Sequence, residues 1–185
     1  IIWDVPTEFN PLCYWNGIAG PGVNQETCYK QKNYDGRFRG PVTLKQALAN
    51  SLNVPSVKIM YLAGIDNVIN TAENLGVATL KDRSRYGLSL VLGAAEVKLL
   101  DMVSAYGVFS QDGVKREPTG ILKVEDGNGR VLEEYKDQGQ KVLNEQTARE
   151  INNILSDDNA RAPMFGLRGL LSLGNRPAAA KTGTT

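Results

Sequence analysis

The sequence predicts an α+β fold that is mostly helical, and three observations carry that expectation. Apolar residues recur at helical spacing in five segments, β-formers flank an Asp126-Gly127-Asn128-Gly129 turn, and the chain closes on "AAAKTGTT", which has the character of a strand. At 185 residues the chain is long enough for one domain, since a chain of this length buries roughly 70% of its unfolded surface.

Residues 1–40 are rich in Gly, Pro, Asn and aromatics and show no sustained period, so they are expected to form a loop-rich surface segment. The helical part, 41–118, opens at Thr43-Leu44-Lys45-Gln46. This is a capping box, with Leu44, Ala47 and Leu48 as the apolar stripe of a short helix ending near Asn50. A second helix is expected after Ser51-Leu52-Asn53, with Pro55 in its first turn, Val57, Met60 and Tyr61 on one face and Gly64 as its stop. A third runs from a cap at Asp66 through Ile69, Ala72 and Leu75 to Gly76. A fourth covers 93–113, with Val97, Leu100, Ser104 and Val108 as its stripe.

Over 119–143 the period changes, and the D-G-N-G turn predicts a β-hairpin with one solvated face. The last part, 144–185, begins with a helix opened by Asn144 and carrying Ala148, Ile151 and Leu155 at helical spacing. "SDDNARAPMFG" and "LGNRP" read as loop, and the terminal strand has no partner strand after it.

Composition narrows the chemistry. With 42% hydrophobic and 22% charged residues and a net charge of +1, the chain reads as an ordinary globular protein without the basic excess that nucleic acid demands. No apolar run reaches the 18 or so residues of a membrane span, and the first ten residues do not resemble a signal peptide, so any membrane anchor is expected outside this chain. Cys13 and Cys28 lack metal-site spacing. Paired, they would close a loop worth about 3 kcal/mol and imply an oxidising compartment; the alternative is two unrelated thiols. There is no histidine at all. That rules out Ser-His-Asp and Cys-His pairs and His-ligated metals, leaving Lys, Tyr, Asp or Glu to move protons; no cofactor or metal is expected.

Two short motifs suit such chemistry. Ser51 and Asn53, two apart in a tight inter-helix loop, offer a hydroxyl for proton relay and an amide to hold a substrate carbonyl. Their plain alternative is structural, with Ser51 ending one helix and Asn53 capping the next. On a strand, Lys181 and Gly183 face one way and Thr182 and Thr184 the other, and the glycine lets a ligand approach the backbone. Such an edge could seat a carboxylate and an oxyanion; alone, it could equally be a solvated strand end.

Together the motifs fall in the order used by serine acyl-transfer enzymes of the S-x-x-K, S-x-N, K-T-G type. "NYDGRFRGPVTLKQALANSLNVPSVK", "GLSLVLGAAEVKLLDMVSAYGVFSQDGV", "VLNEQTAREINNILSDDNARAPMFG" and "AAAKTGTT" resemble the transpeptidase domain of class A, bifunctional penicillin-binding proteins. The resemblance extends over most of the chain from about Asp4. It implies the serine β-lactamase/penicillin-binding transpeptidase fold, represented here by an internal piece.

The third motif is not in this chain. The residues three positions after Ser51, Ser56, Ser84, Ser89, Ser104, Ser110, Ser156 and Ser172 are Val, Ile, Gly, Leu, Gly, Gly, Asn and Asn, so none completes S-x-x-K. "WDVPTEFNP" resembles the stretch after the family's nucleophile helix, which places the serine before Ile1. The resemblance therefore implies a peptidoglycan D,D-transpeptidase whose serine lies outside this chain, and no acylation of the chain alone. Ser51 would relay a proton, Asn53 would hold the substrate amide and Lys181 would tune the site. Thr182 and Thr184 would bind the carboxylate of substrate or β-lactam, with the Thr184 N–H as an oxyanion donor.

The implied partners are peptidoglycan stem peptides, β-lactams and the rest of the transpeptidase domain, at the extracytoplasmic face of a bacterial membrane. Three alternatives stand beside this reading: a non-catalytic module binding stem peptide or β-lactam, one piece of a two-chain enzyme, and a D,D-carboxypeptidase or β-lactamase.

Overall fold

Helices α1 (Leu44–Ala49), α2 (Asn53–Ala63), α3 (Ile65–Leu75), α4 (Leu99–Ser110), α5 (Glu145–Ser156) and α6 (Asp158–Phe165) carry most of the regular structure. The strands are short: β1 (Ile2–Asp4), β2 (Gly40–Val42), β3 (Val114–Lys115), β4 (Lys123–Glu125), β5 (Val131–Glu134) and β6 (Gln140–Lys141). They pair as three separate antiparallel ribbons, β1 with β2, β3 with β6 and β4 with β5. This is a computed structural model describing residues 1–183. It divides into two compact units, each discontinuous in sequence: Ile1–Val68, Ser84–Ala95 and the residues from Asn153 onward form one, and Ile69–Arg83 with Glu96–Asn152 the other.

The first unit carries both motifs. The segment 1–40, expected to be surface loop, contributes β1, whose Ile2 and Asp4 are buried while Trp3 is exposed. Three residues are too few to show a period, and the inward aspartate breaks the apolar alternation that marks a strand. Further on, Cys13 and Cys28 form a disulfide, which settles the alternative left open by their spacing.

At α1 the capping box forms in full. Gln46 donates its N–H to Thr43 Oγ1 at 3.1 Å, and Thr43 donates its N–H to Gln46 Oε1 at 2.8 Å. In α2, Val54, Pro55, Val57 and Met60 are buried, whereas Tyr61, expected on that face, is exposed. Gly64 ends the helix at φ 83°, a left-handed conformation open to glycine. Ile2, Val42, Ala47 and Leu52 form a core cluster, against which Met164 of α6 packs.

The segment "SDDNARAPMFG", read as loop, holds α6. Asp157 caps it by accepting the Ala160 N–H at 2.9 Å, and Lys45 of α1 reaches the same carboxylate at 2.5 Å. Pro163 obscures the helix in the sequence, but the helix ends only two residues later, so little of it depends on the ladder bond that proline removes. Among the described residues, Ala178 to Gly183 pair with no strand. The terminal strand is therefore not formed as expected, since an extended segment becomes a strand only through ladder bonds to a neighbour.

Two other helix starts differ from expectation. The third helix begins at Ile65, so Asp66 lies in its first turn and is not its cap. The fourth begins at Leu99, because residues 88–92 form a 3-10 turn closed by Gly93 at φ 100°, and Val97 precedes the helix.

In the second unit the expected hairpin forms as β4 and β5. Asp126 Oδ1 accepts the N–H groups of Asn128 at 2.9 Å and Arg130 at 3.0 Å across the turn. All four β5 residues are exposed. Within this unit, Arg149 of α5 holds Asp112 through two guanidinium hydrogen bonds of 3.0 and 2.8 Å.

Candidate functional site

Ser51 sits where the chain reverses between α1 and α2. Its N–H donates to Leu48 O at 3.1 Å, and the Leu52 N–H donates to Ala47 O at 3.0 Å, which folds the turn back on the end of α1. The turn requires Ser51 to adopt φ 54°, in the left-handed region that side chains disfavour. Leu52 is driven inward, at 1% exposure, so Ser51 and Asn53 on either side of it remain only partly covered. Apolar burial of the middle residue is thus what orients the motif.

Two side chains tie this turn down. Asn50 donates through Nδ2 to Gln46 O at 3.0 Å and to Ala160 O of α6 at 2.9 Å. Asn53 donates through Nδ2 to Lys32 O at 2.9 Å. Asn53 is the first residue of α2 and Leu52 its N-cap, so Asn53 does not serve as the helix cap that its residue type suggests.

The Lys181-Thr182-Gly183 segment is fixed from α5. Ala180 donates its N–H to Leu155 O at 2.9 Å, and the guanidinium of the buried Arg161 donates to the same carbonyl. From this anchor Lys181 reaches Ser51: Nζ lies 2.7 Å from Ser51 Oγ and 2.7 Å from Thr182 O. Residues 130 apart in sequence therefore meet at hydrogen-bond distance.

Burial pushes the Lys181 ammonium below its ordinary pKa, because the half-covered charge loses water. A charged Lys181 donates to Ser51 Oγ and leaves the Ser51 proton free to point elsewhere. A neutral Lys181 would instead be able to accept that proton. In either state a hydroxyl and an amine stand at hydrogen-bond distance, which is the chemistry that proton transfer without histidine requires.

Thr182 lines a cleft of about 240 Å³ with Asp158, Arg161, Phe165, Leu170 and Leu171. Gly183 is exposed, and a Cβ built on it would meet nothing within 4 Å. Neither packing nor a left-handed backbone requires a glycine there. Thr184, expected to bind a carboxylate and to offer an oxyanion N–H, lies outside the described residues.

The sequence reading missed Asn50, Arg161 and the Leu155 carbonyl. Asn50 looks like an ordinary helix end, Arg161 sits in a segment read as loop, and a backbone carbonyl carries no signature in its residue type.

Comparison with known proteins identifies the family. The family model of the penicillin-binding protein transpeptidase domain matches residues 18–185. Penicillin-binding protein 1A of Aquifex aeolicus is 36% identical over 83% of this chain and 20% of its own length. Penicillin-binding protein 2D of Bacillus subtilis is 34% identical over 85% of this chain and 23% of its own length. The chain thus spans about a fifth of the length of these curated relatives.

Among solved structures, the PonA1 protein of Mycobacterium tuberculosis in complex with penicillin V superposes with a TM-score of 0.68 at 30% identity. That match covers 84% of this chain and 43% of the other. Penicillin-binding protein 1A of Haemophilus influenzae shares the fold, with a TM-score of 0.67 at 24% identity over 91% of this chain and 27% of its own. Among the described residues, no helix is long and apolar enough to cross a membrane. With the S-x-N and K-T-G motifs in contact and the family model matched from Ile18 onward, the chain belongs to the penicillin-binding protein transpeptidase domain family.

Proposed function

We propose that this chain supplies two walls of a serine-type D,D-transpeptidase site that cross-links peptidoglycan stem peptides and is acylated by penicillins. The observation that carries the reading is the 2.7 Å contact between Lys181 Nζ and Ser51 Oγ, which joins the two motifs into one proton-handling pair. All 185 residues would belong to one transpeptidase domain, acting at the extracytoplasmic face of a bacterial membrane. The disulfide between Cys13 and Cys28 supports such an oxidising location.

In the reaction, a serine outside these residues attacks the carbonyl of a terminal D-Ala-D-Ala. As the acyl–oxygen bond forms the serine hydroxyl gives up its proton, the peptide C–N bond breaks, and the leaving D-Ala nitrogen takes up one proton in turn. Ser51 passes that proton, with Lys181 setting the direction of its hydroxyl; their 2.7 Å contact supports this role. Asn53 holds the amide of the substrate backbone. An amine from a second stem peptide then attacks the acyl-enzyme: the new peptide C–N bond forms, the acyl–oxygen bond breaks, and a proton of the amine returns to the serine oxygen.

Thr182 and Thr184 bind the substrate carboxylate, and the Thr184 N–H stabilises the oxyanion. One such donor is worth about 2.7–4 kcal/mol of barrier height. The bare backbone at Gly183, with open space where a Cβ would stand, suits close approach of substrate along this edge.

The test uses labelled penicillin followed by a denaturing gel. The protein carrying this chain together with an S-x-x-K segment is expected to take a stable covalent label, and the 185-residue chain alone to take none. A covalent band on this chain alone, or no label on the longer protein, would overturn the reading. Reversible binding without acylation by the longer protein would favour a non-catalytic binding module.

A further inference from the structure

The start of α2 is held by a residue far from it in sequence. Val54 is the second residue of the helix, and its N–H has no partner within the helix. Leu52 at the N-cap makes no side-chain cap bond. The acceptor is instead Asn33, 21 residues earlier, whose Oδ1 receives the Val54 N–H at 3.2 Å.

An amide can lie either way round, and here a buried carboxylate selects one. Asn33 is 3% exposed, and its Nδ2 donates to both carboxylate oxygens of Asp4 at 2.9 Å and to Arg37 O at 2.7 Å. Asp4 is fully buried and also accepts the Arg39 N–H at 3.0 Å. An ionised carboxylate only accepts, so it can face Nδ2 and not Oδ1. That leaves Oδ1 pointing at Val54. On the adjoining residue pair, Lys32 O receives the Asn53 side chain at 2.9 Å.

We propose that Asn33, locked by Asp4, is a positioning residue for Asn53. It fixes the first turn of α2 and, through the neighbouring Lys32 carbonyl, the way the Asn53 amide faces. With one Nδ2 hydrogen held by Lys32 O, the plane of the Asn53 amide is fixed, and its second N–H is left to donate to the substrate carbonyl that Asn53 is proposed to hold. The functional part of this assignment rests on the substrate-holding role proposed above for Asn53; the structural part does not.

The variants are Asn33→Ala and the near-isosteric Asp4→Asn, which would allow the Asn33 amide to turn over. In this chain, amide hydrogen exchange is compared at Val54 and at Met60, which is buried mid-helix and reports global opening. Exchange at Val54 is expected to accelerate about tenfold or more relative to Met60, with altered Asn53 side-chain amide resonances, because one directed hydrogen bond is lost. Unchanged Val54 exchange and unchanged Asn53 resonances in a folded variant overturn the proposal. If Asn33→Ala does not fold, Asp4→Asn decides.

In the longer protein, acylation of fully folded Asp4→Asn by labelled penicillin is expected to slow about tenfold or more, as misplaced binding groups do. An unchanged acylation rate reduces Asn33 to structural support and overturns the positioning role. If the unmodified longer protein takes no label, the transpeptidase reading falls, and the exchange and resonance measurements still decide whether Asn33 orients Asn53.

Discussion

Asn50, the residue before Ser51, donates its side-chain N–H to the carbonyl of Ala160, 110 positions further along the chain and 2.9 Å away. This bond fastens the S-x-N turn to α6, while the other Nδ2 hydrogen goes to Gln46 O of α1, which also accepts the Asn50 backbone N–H at 3.0 Å. Asn50 is 5% exposed, so its bond to the Ala160 carbonyl lies away from water. Asn50→Ala is expected to lower unfolding stability by about 0.5–1.5 kcal/mol, the net worth of the bond to Ala160 O. Gln46 O keeps the backbone N–H of residue 50, and the buried Asn50 Oδ1, which has no partner among the described residues, is removed with the side chain. Denaturant unfolding of this chain checks it, and a change within experimental error would show that the turn is held by backbone bonds alone.

Ser51 combines a hydroxyl in contact with Lys181 and a backbone at φ 54°. The two features can be separated by comparing Ser51→Ala with Ser51→Gly. Both remove the hydroxyl, and only glycine relieves the left-handed strain. Ser51→Gly is therefore expected to be more stable than Ser51→Ala by about 1 kcal/mol. In the longer protein both are expected to lose the same acylation activity. A glycine variant that keeps activity would show that Ser51 is present for the turn and not for its proton.

What could be read from the sequence divides along physical lines. The Thr43–Gln46 capping box and the Asp126 turn were legible because their partners lie within four residues of each other. By contrast, β1 and α6 were not. Asp4 faces inward because Asn33 and Arg39 supply its hydrogen bonds from 29 and 35 residues away, a compensation invisible in the local pattern. Pro163 signals a break, yet the helix tolerates it near its end. Ser51 and Lys181 were each unremarkable alone, and only the joint order of S-x-N and K-T-G singled them out. The residues that tie down their two segments, Asn50 and Arg161, act through the backbone carbonyls of Ala160 and Leu155, which leave no trace in residue type.

The Cys13–Cys28 disulfide spans a separation of 15 residues in a segment otherwise held by turns and side-chain bonds. In the loop-entropy account, closing such a loop stabilises the fold by about 3 kcal/mol. Reduction, or the double replacement of both cysteines by serine, is expected to lower unfolding stability by about that amount. Paired denaturation curves with and without reductant measure it. No difference would mean that the reduced loop is already held by its other contacts.

Acid should loosen the junction of α1 and α6 through Asp157. The Lys45 ammonium hydrogen-bonded to Asp157, together with the Ala160 N–H it caps, holds its carboxyl below the ordinary value of 3.8. Because the folded pKa is the lower one, the unfolded chain binds the proton more readily between the two values, and stability rises with pH there. The contribution is fully present above 3.8 and is lost as pH falls through the depressed folded value. Asp157→Asn retains an oxygen to cap Ala160 but removes the charge facing Lys45. Wild type is therefore expected to exceed Asp157→Asn in thermal stability at neutral pH, and the gap is expected to close as pH falls below 3.8. The gap should also narrow with added salt, since the ion pair is partly exposed. A gap that persists unchanged into strong acid would show that the difference does not come from the Asp157 charge, and no gap at neutral pH would show that Asp157 acts on α6 through its capping oxygen alone.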